Sequence, residues 1–462
     1  MDVLLAHAYS LAEDAAEQRI MRPHPPLGLL YLSSHLKRCG ASVGVFDGTF
    51  RTTSDFEAVL RRHRPPVVGL SVNLMTKRRA LAWITLARAA GAKVVVGGPD
   101  PAPYAAEYLS AGADVVVVGE GERTIEALLT ALAGSDAEAL ERIEGLVFAR
   151  PDGAIARTAP RALIADLDAQ PWPDREAIDL PAYLRAWRTR HGAGVASLIT
   201  ARGCPYTCTW CSRSVFGVSH RRRSVTGVAD EVEYLVERYR PDRLWYADDV
   251  FAIHRTWTLA YADELARRRL RLPFECITRA ERIDDSVADA LVSLGCSRVW
   301  IGSESGSQRL LDAMERRVRV DQIHDATVRL RRRGIEVGLF VMLGFDGERF
   351  DDLRATVRHL KRTSPDEFLT TVAYPIKGTP YHARVADRLR APAPWNARTD
   401  RDLVVTGRPG RRYYDFARRW MTGEVARHRH WQAGRLGAAL RAASSAVVGR
   451  VGMALTSHWV QR

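Results

Sequence analysis

The chain has 462 residues, of which 46% are hydrophobic and 26% charged, and its net charge is +14. This length predicts two domains and a tail, and this composition excludes a largely disordered chain. Fifteen arginines against five acids place +10 of the charge between residues 386 and 462. No aromatic-and-basic signature accompanies that excess, so we expect no nucleic acid partner there; a solvated basic face, an acidic substrate and a membrane surface remain open.

The N-terminus predicts a first β-strand, because an acid at position 2 precedes a short apolar run and no basic segment leads it. No apolar run approaches the length of a membrane span. The predicted localisation is therefore cytoplasmic.

Residues 1–140 alternate short Val-rich runs with helical patterns. Strands are predicted near 67–72, 93–98 and 114–119, and helices at 27–39 and 55–62. Apolar runs without alternation are typical of parallel strands that are covered on both faces. The pattern predicts a doubly wound, Rossmann-like α/β domain whose ligand lies over the carboxyl ends of the strands.

Small and polar residues stand at those predicted strand ends. They are Ser71, Gly97, Gly98, Gly119, Glu120 and Gly121. Glycine at such a place lets a bulky ligand approach the backbone. No GxGxxG follows the first strand, which argues against a dinucleotide. Residues 141–190, with their prolines, are predicted as a linker.

Three cysteines, Cys204, Cys208 and Cys211, form CxxxCxxC directly after the next predicted strand. This set can bind three irons of a four-iron cluster and leave the fourth iron open. Zinc would need a fourth ligand, and His220 lies nine residues past Cys211 without paired spacing. Unliganded core cysteines are the other alternative.

The remaining cysteines are far apart in the sequence. Cys39 and Cys296 each lie beside a glycine at a predicted helix end, so we expect them simply to pack. Cys276 lies in a predicted strand, where it either packs or faces the active site.

Strands and helices alternate again to about residue 380. Six strands are predicted, near 195–203, 243–249, 274–279, 298–304, 337–344 and 369–375. They predict a partial (β/α)6 TIM-type barrel over 191–385, with chemistry at the carboxyl ends of its strands. A basic helical region, 386–462, follows. Its apolar spacing from Leu436 to Leu455 predicts either a helix packed on the barrel or an interfacial helix on an anionic membrane.

The cysteine spacing, with Tyr206 inside the motif and Trp210 just before its third cysteine, resembles the signature of the radical S-adenosylmethionine (SAM) superfamily. The resemblance implies a [4Fe–4S] cluster whose open iron binds the methionine end of SAM. Reduction there would yield a 5'-deoxyadenosyl radical. It also implies a small-molecule substrate and an electron donor such as flavodoxin or ferredoxin.

Residues 24–32, GlyGlyPro at 97–99 and GlyGluGlyGluArgThr at 119–124 resemble the cobalamin-binding domain that precedes the radical domain in one subfamily. The resemblance covers nearly all of residues 1–135, so the domain is predicted over 1–140. The AspxHisxxGly loop, which supplies a histidine to cobalt in cobalamin-dependent mutases, is absent. Relatives in the subfamily generally lack it too, so the resemblance implies base-off cobalamin with no histidine ligand from this domain. Asp100 stands where many relatives have His.

The same resemblance assigns roles to residues at the strand ends of the barrel. It implies SAM-facing roles for Tyr206, Asp248, Asp249, Arg279, Glu304 and Gly344. Strand capping or a salt bridge is the alternative for either aspartate.

By analogy with the subfamily, the predicted function is C-methylation of an unactivated carbon through methylcobalamin. A radical SAM cyclase or rearrangement enzyme acting on a porphyrin-like or other small molecule is the alternative. A cobalamin carrier or sensor without catalysis is the second. An RNA methylthiotransferase would need a second cysteine triad ahead of the barrel, and none is present.

Overall fold

The computed structural model describes residues 1–134 and 138–457, which divide into two compact units. The first unit contains Met1–Pro205, Ser212–Ala247 and Ala393–Thr399. The second contains Tyr206–Cys211, Asp248–Pro392 and Asp400–Arg462.

The first unit is built on a seven-stranded sheet. Its strands are β1 (Val3–His7), β2 (Val43–Asp47), β3 (Val67–Ser71), β4 (Lys93–Gly97), β5 (Val115–Val117), β6 (Leu146–Ala149) and β7 (Ile155–Arg157). Their spatial order is β2-β1-β3-β4-β5-β6-β7. The first five are parallel, and β6 and β7 are antiparallel additions. The order 2-1-3-4-5 is that of a doubly wound sheet.

Six helices accompany this sheet. They are α1 (Ala15–Ile20), α2 (Leu27–Arg38), α3 (Thr53–His63), α4 (Lys77–Ala89), α5 (Ala105–Ser110) and α6 (Glu122–Ala133). Alternate residues of the strands fall into two apolar clusters, one containing Leu4 and Val68 and the other Val3 and Val67. Side chains alternate across a strand, so both faces of the sheet are covered, as the valine runs predict.

The segment predicted as a linker contains regular structure. It holds β6, β7 and most of α7 (Leu180–His191), and its first part completes the sheet. The unit continues with β8 (Val195–Leu198), β9 (Ala201–Arg202), β10 (Arg221–Arg222), α8 (Val225–Tyr239) and β11 (Arg243–Tyr246). Strand β11 pairs in parallel with β8, and β10 pairs antiparallel with β9.

The second unit contains four further parallel strands in the order β15-β14-β13-β12. Its elements are α9 (Arg255–Arg267), β12 (Phe274–Thr278), α10 (Asp285–Leu294), β13 (Cys296–Glu304), α11 (Gln308–Ala313), α12 (Val320–Arg331), β14 (Glu336–Leu343), α13 (Phe350–Thr363) and β15 (Glu367–Val372). Helices precede the strands as predicted, and each of the six predicted barrel strands is present in one unit or the other.

The C-terminal region forms a helical hairpin. After α14 (Pro380–Val385) and the short antiparallel pair β16 (Leu389–Arg390) and β17 (Val404–Val405), helices α15 (Arg411–Gln432) and α16 (Leu436–Thr456) follow. The two helices pack closely on each other, and α15 also contacts α13 through Trp420 and Phe350. Among the described residues, no helix is long and apolar enough to cross a bilayer.

Candidate cofactor sites

The carboxyl ends of β1, β3 and β4 lie side by side at one edge of the sheet in the first unit. Ser71 pairs in register with His7 on one side and with Gly97 on the other. Gly98 has φ +105°, and a Cβ there would lie 2.6 Å from the carbonyl oxygen of Val72, so only glycine fits. The Nδ1 atom of His7 is buried and has no hydrogen-bond partner within residues 1–134 and 138–457. Burial lowers the pKa of this imidazole. Sequence reasoning missed His7.

Glu120 is held by the protein itself. Its Oε2 accepts hydrogen bonds from the backbone N–H of Ile164 and from Arg221, both at 2.7 Å. Its Oε1 accepts one from Arg202 at 2.9 Å. The side chain is buried, and this network gives it a structural role. Its predicted part in cobalamin binding stays a prediction.

The neighbouring predicted residues differ in their surroundings. Gly119 has φ +87°, and a Cβ on Gly121 would lie 2.9 Å from Cδ2 of Leu32 on α2. Asp100, which follows GlyGlyPro, is buried and accepts a hydrogen bond of 2.5 Å from the hydroxyl of Tyr108. These contacts fix the loops that follow β4 and β5.

The three motif cysteines differ in exposure. Cys204 is half-buried, and its backbone forms an isolated β-bridge with Val218 within the first unit. In the second unit Cys208 is buried and Cys211 is exposed, and the Cys211 N–H donates to the Cys208 carbonyl at 3.3 Å. Outside the motif, Cys276 and Cys296 are buried, whereas the packing predicted for Cys39 is wrong because its side chain is exposed at the end of α2. The pKa of the Cys276 thiol is raised, mainly by burial and to a smaller extent by its hydrogen bond with Cys296.

Arg279 brings the cysteine loop together with the ends of β12 and β13. Its Nη1 lies 3.7 Å from Sγ of Cys208, and its guanidinium carbon lies 3.6 Å from the ring centroid of Tyr206. It also donates to the carboxylate of Glu281 and to the backbone carbonyl of Arg316. The guanidinium group therefore contacts both the sulfur of a motif cysteine and the aromatic ring inside the motif. The predicted pair Tyr206 and Arg279 is therefore in direct contact.

Glu304 occupies a strained position at the end of β13. It has φ +56°, and the register with β14 shifts between Gly302 and Glu304. A Cβ on Gly302 would lie 2.7 Å from Oε1 of Glu304. The carboxylate lies 3.8 Å from Nε of Arg316, a buried residue that sequence reasoning missed. Burial raises the pKa of Glu304 to about 7, although Arg316 and Arg279 oppose the shift.

The two aspartates after β11 have different environments. Asp248 is buried and Asp249 is exposed. The pKa of Asp249 is raised, first by desolvation and then by the negative charge of Asp248. Phe251, two residues further on, is fully buried, and its N–H donates to the carbonyl of Ile277 on β12.

Gly344 is covered by the C-terminal region. It has φ +71°, and a Cβ there would lie 2.7 Å from Cζ of Tyr414 on α15. Its N–H donates to Glu348 at 2.7 Å, and its carbonyl accepts from Arg408 at 2.8 Å. Burial raises the pKa of Glu348 to about 8. Tyr414, Arg408 and Glu348 are further residues that the strand-end pattern did not indicate.

Two family models match the chain. The model of the radical SAM superfamily matches residues 198–360, and that of the B12 binding domain matches residues 19–129. The chain contains a radical SAM domain and a B12-binding domain. The predicted recognition is confirmed, and the cofactors of the superfamily are a [4Fe–4S] cluster, SAM and cobalamin.

Proteins of other organisms are similar to this chain in sequence. An uncharacterized methyltransferase of Pyrococcus horikoshii is 28% identical over 85% of each chain. The anaerobic magnesium-protoporphyrin IX monomethyl ester cyclase of Rubrivivax gelatinosus is 26% identical over 74% of this chain and 63% of its own length. The chain thus spans less than two thirds of that cyclase.

Solved structures establish the fold. The radical SAM methyltransferase TsrM of Kitasatospora setae, with cobalamin and a [4Fe–4S] cluster bound, superposes with a TM-score of 0.69 and 23% identity. The match covers 84% of this chain and 76% of TsrM. The cobalamin-dependent radical SAM enzyme OxsB gives a TM-score of 0.73 at 18% identity, over 92% of this chain and 67% of OxsB. The predicted fold class, a doubly wound cobalamin-binding domain followed by a partial barrel and a helical tail, is confirmed.

The residues near Cys208 and Glu304 fit the radical SAM cofactors. Three buried polar atoms there have no hydrogen-bond partner within residues 1–134 and 138–457: Thr207 Oγ1, Glu281 Oε2 and Arg316 Nη1. Buried polar atoms are nearly always hydrogen-bonded, so such a group points to a polar ligand. In the first unit, Gly97 and Gly98 leave room for a bulky ligand at the strand ends. The Nδ1 atom of His7, which has no hydrogen-bond partner among the described residues, offers that ligand a polar contact. Both features fit cobalamin.

The raised pKa of Glu304 predicts a pH-dependent stability of the cofactor-free protein. An unfolded Glu loses its proton near pH 4.5, whereas Glu304 in the fold keeps it to about pH 7. The free energy of unfolding should therefore fall by about 3 kcal/mol as the pH rises through that window. Urea unfolding at several pH values measures this slope. Glu304→Gln should remove that part of it, whereas Glu315→Gln, at an exposed site, should retain it. An unchanged slope in Glu304→Gln would contradict the assignment.

Proposed function

We propose that the chain is a cobalamin-dependent radical SAM C-methyltransferase that acts on an unactivated carbon of a small molecule. The observation that carries the proposal is the match of one chain to both cofactor-binding families, together with the Pyrococcus methyltransferase that covers 85% of it. The tryptophan 2-C-methyltransferase of Streptomyces laurentii and the hopanoid C-3 methylase of Methylococcus capsulatus add support at 26% and 27% identity. When bound, the cluster and SAM supply hydrogen-atom abstraction and cobalamin supplies a methyl group.

Each part of the chain has a proposed role in this reaction. Residues 1–140 bind cobalamin, 191–385 form the radical SAM core and 386–462 form the basic helical region. The cluster is held by Cys204, Cys208 and Cys211. Arg279 lies beside Sγ of Cys208 and over the ring of Tyr206, and so positions both side chains of the motif. Glu304, whose proton is shed near neutral pH, receives the cationic end of SAM.

The remaining site residues complete two binding surfaces. Proposed SAM contacts are Asp248, Asp249 and Gly344. Proposed cobalamin contacts are Ser71, Gly97, Gly98, Gly119, Glu120 and Gly121. We add His7, because its unpartnered nitrogen lies at the point where the strand order reverses.

A cyclisation or oxidative rearrangement is the second candidate, since the Rubrivivax cyclase is 26% identical to the chain. The two reactions differ in the mass of the product. Methylation adds a methyl group from SAM, whereas cyclisation removes hydrogens and transfers nothing.

Two further partners belong to the proposal. A flavodoxin- or ferredoxin-type donor would supply the electron that SAM cleavage requires. A membrane surface would contact the C-terminal region.

The test is anaerobic incubation of the reconstituted protein with methyl-deuterated SAM, a chemical reductant and a metabolite extract from a strain that lacks the gene. Methylation predicts that 5'-deoxyadenosine and S-adenosylhomocysteine form together and that a metabolite gains the deuterated methyl group. Mass spectrometry measures all three. The Cys208→Ala variant is the negative control, and Cys296→Ala is the matched control outside the motif.

A product that has lost hydrogens without label, and without S-adenosylhomocysteine, would replace methylation by cyclisation. Failure to cleave SAM in a sample that contains both iron and cobalt would instead favour a cobalamin carrier.

A further inference from the structure

Helix α16 has one face that the hairpin already uses. Cβ atoms on Gly449 and Gly452 would lie 2.5 Å from the backbone nitrogen of Trp420 and 2.3 Å from the ring of Phe416, so these glycines lie directly on α15. Ala439 and Met453 are buried on the same face. The packing of α16 in the described structure is therefore provided by α15, through small residues.

The opposite face of α16 carries an apolar stripe that the described residues leave in solvent. We define the stripe as Leu436, Leu440, Val447, Val451 and Leu455, whose exposed fractions are 58%, 70%, 61%, 51% and 70%. Spacings of four, seven, four and four residues place all five on one side of a helix. Single exposed apolar residues are ordinary on a protein surface, but five large ones on one side of the same helix mark an interaction surface.

The charged residues of α16 are all basic. No Asp or Glu follows Glu424 in the sequence, and Arg435 and Arg441 are exposed on or directly ahead of α16. Arg427, near the end of α15, is paired with Glu424 at 3.0 Å and is not counted with them. A second copy of the chain docked through the same stripe would bring these arginines close to their own counterparts. An anionic surface would pair with them instead.

We propose that the stripe on α16 docks the protein peripherally on an anionic lipid bilayer. The five aliphatic side chains enter the headgroup boundary, and the arginines contact lipid phosphates from above it. This inference names the membrane contact of the C-terminal region more closely, and it holds whichever reaction the radical SAM core performs. Its test therefore uses no substrate.

The experiment is co-sedimentation of the full-length protein with vesicles of phosphatidylcholine alone and with vesicles that contain phosphatidylglycerol. We expect binding to the anionic vesicles that is at least about tenfold tighter and that weakens with added salt. Combining Leu440→Ser, Val447→Ser, Val451→Ser and Leu455→Ser should reduce binding at least about tenfold. Arg435→Gln with Arg441→Gln should remove the preference for anionic lipid.

The matched control is Ile155→Ser with Leu369→Ser, which removes exposed apolar residues at other surfaces and should bind like the unchanged protein. Far-UV circular dichroism and thermal unfolding check that α16 still forms in each variant. Equal binding by the stripe variant would overturn the proposal. Absence of vesicle binding, with a dimer that the stripe variant converts to a monomer, would assign the stripe to a second copy.

Discussion

Replacing Cys204, Cys208 and Cys211 with Ala together is expected to abolish cluster binding and SAM cleavage while leaving cobalamin binding intact. Only thiolates of this loop are proposed to ligate the cluster, and the B12 family match ends at residue 129, before the loop begins. Iron should fall from about four per chain to background, and the yield of 5'-deoxyadenosine should fall with it. Metal analysis of protein prepared anaerobically with hydroxocobalamin measures iron and cobalt in one sample.

Cys296→Ala is the control for the loss of a cysteine as such. Cys296 is buried in the same unit as Cys208 and Cys211 but lies outside the motif, so this variant should retain its iron. A triple variant that keeps iron and cleaves SAM would show that the cluster ligands lie elsewhere. Loss of cobalt together with iron would show that the two cofactors depend on each other for binding.

Replacing Glu120 with Ala is expected to lower the free energy of unfolding by about 3 to 5 kcal/mol, because it leaves buried guanidinium groups without their partner. Arg221 would lose its carboxylate, and Arg202 would keep only the bond to Glu122 at 2.7 Å. The backbone N–H of Ile164 would lose its acceptor as well. Urea unfolding of the cofactor-free protein measures the change.

The control for this prediction is Glu57→Ala on α3. Glu57 pairs with Arg61 one helical turn away at 3.5 Å on an exposed surface, so its loss should cost less than about 0.5 kcal/mol. If Glu120→Ala unfolds like the unchanged protein but binds cobalamin more weakly, the residue acts on the cofactor. In that case the structural role given to its ion network is wrong.

The predictions that hold best rest on local pattern. The Val-rich runs predict β3 and β4 to within one residue, because parallel strands that are covered on both faces need apolar side chains at every position. The predicted helix at 27–39 is observed as Leu27–Arg38. The motif cysteines needed only their spacing and two aromatic neighbours to indicate a cluster.

Other parts of the site depend on residues that meet only in the fold. Arg316 lies twelve residues beyond Glu304, in a loop whose arginines give no periodic signal. Its guanidinium group nevertheless lies beside the carboxylate of Glu304. Tyr414 lies seventy residues beyond Gly344 and packs directly on it. Spacing along the chain carries no information about such pairs.

By itself, the sequence determined the order of the strands and helices, the two cofactor classes and the residues at each strand end. Periodicity and motif spacing are local properties, so the amino-acid sequence alone shows them. The tertiary structure decided what each of those residues contacts. It engages Glu120 in an ion network and covers Gly344 with an aromatic ring. Within residues 1–134 and 138–457, it leaves one face of α16 in solvent. Burial and pairing are set by distant segments that fold together, so only the packed chain reveals them.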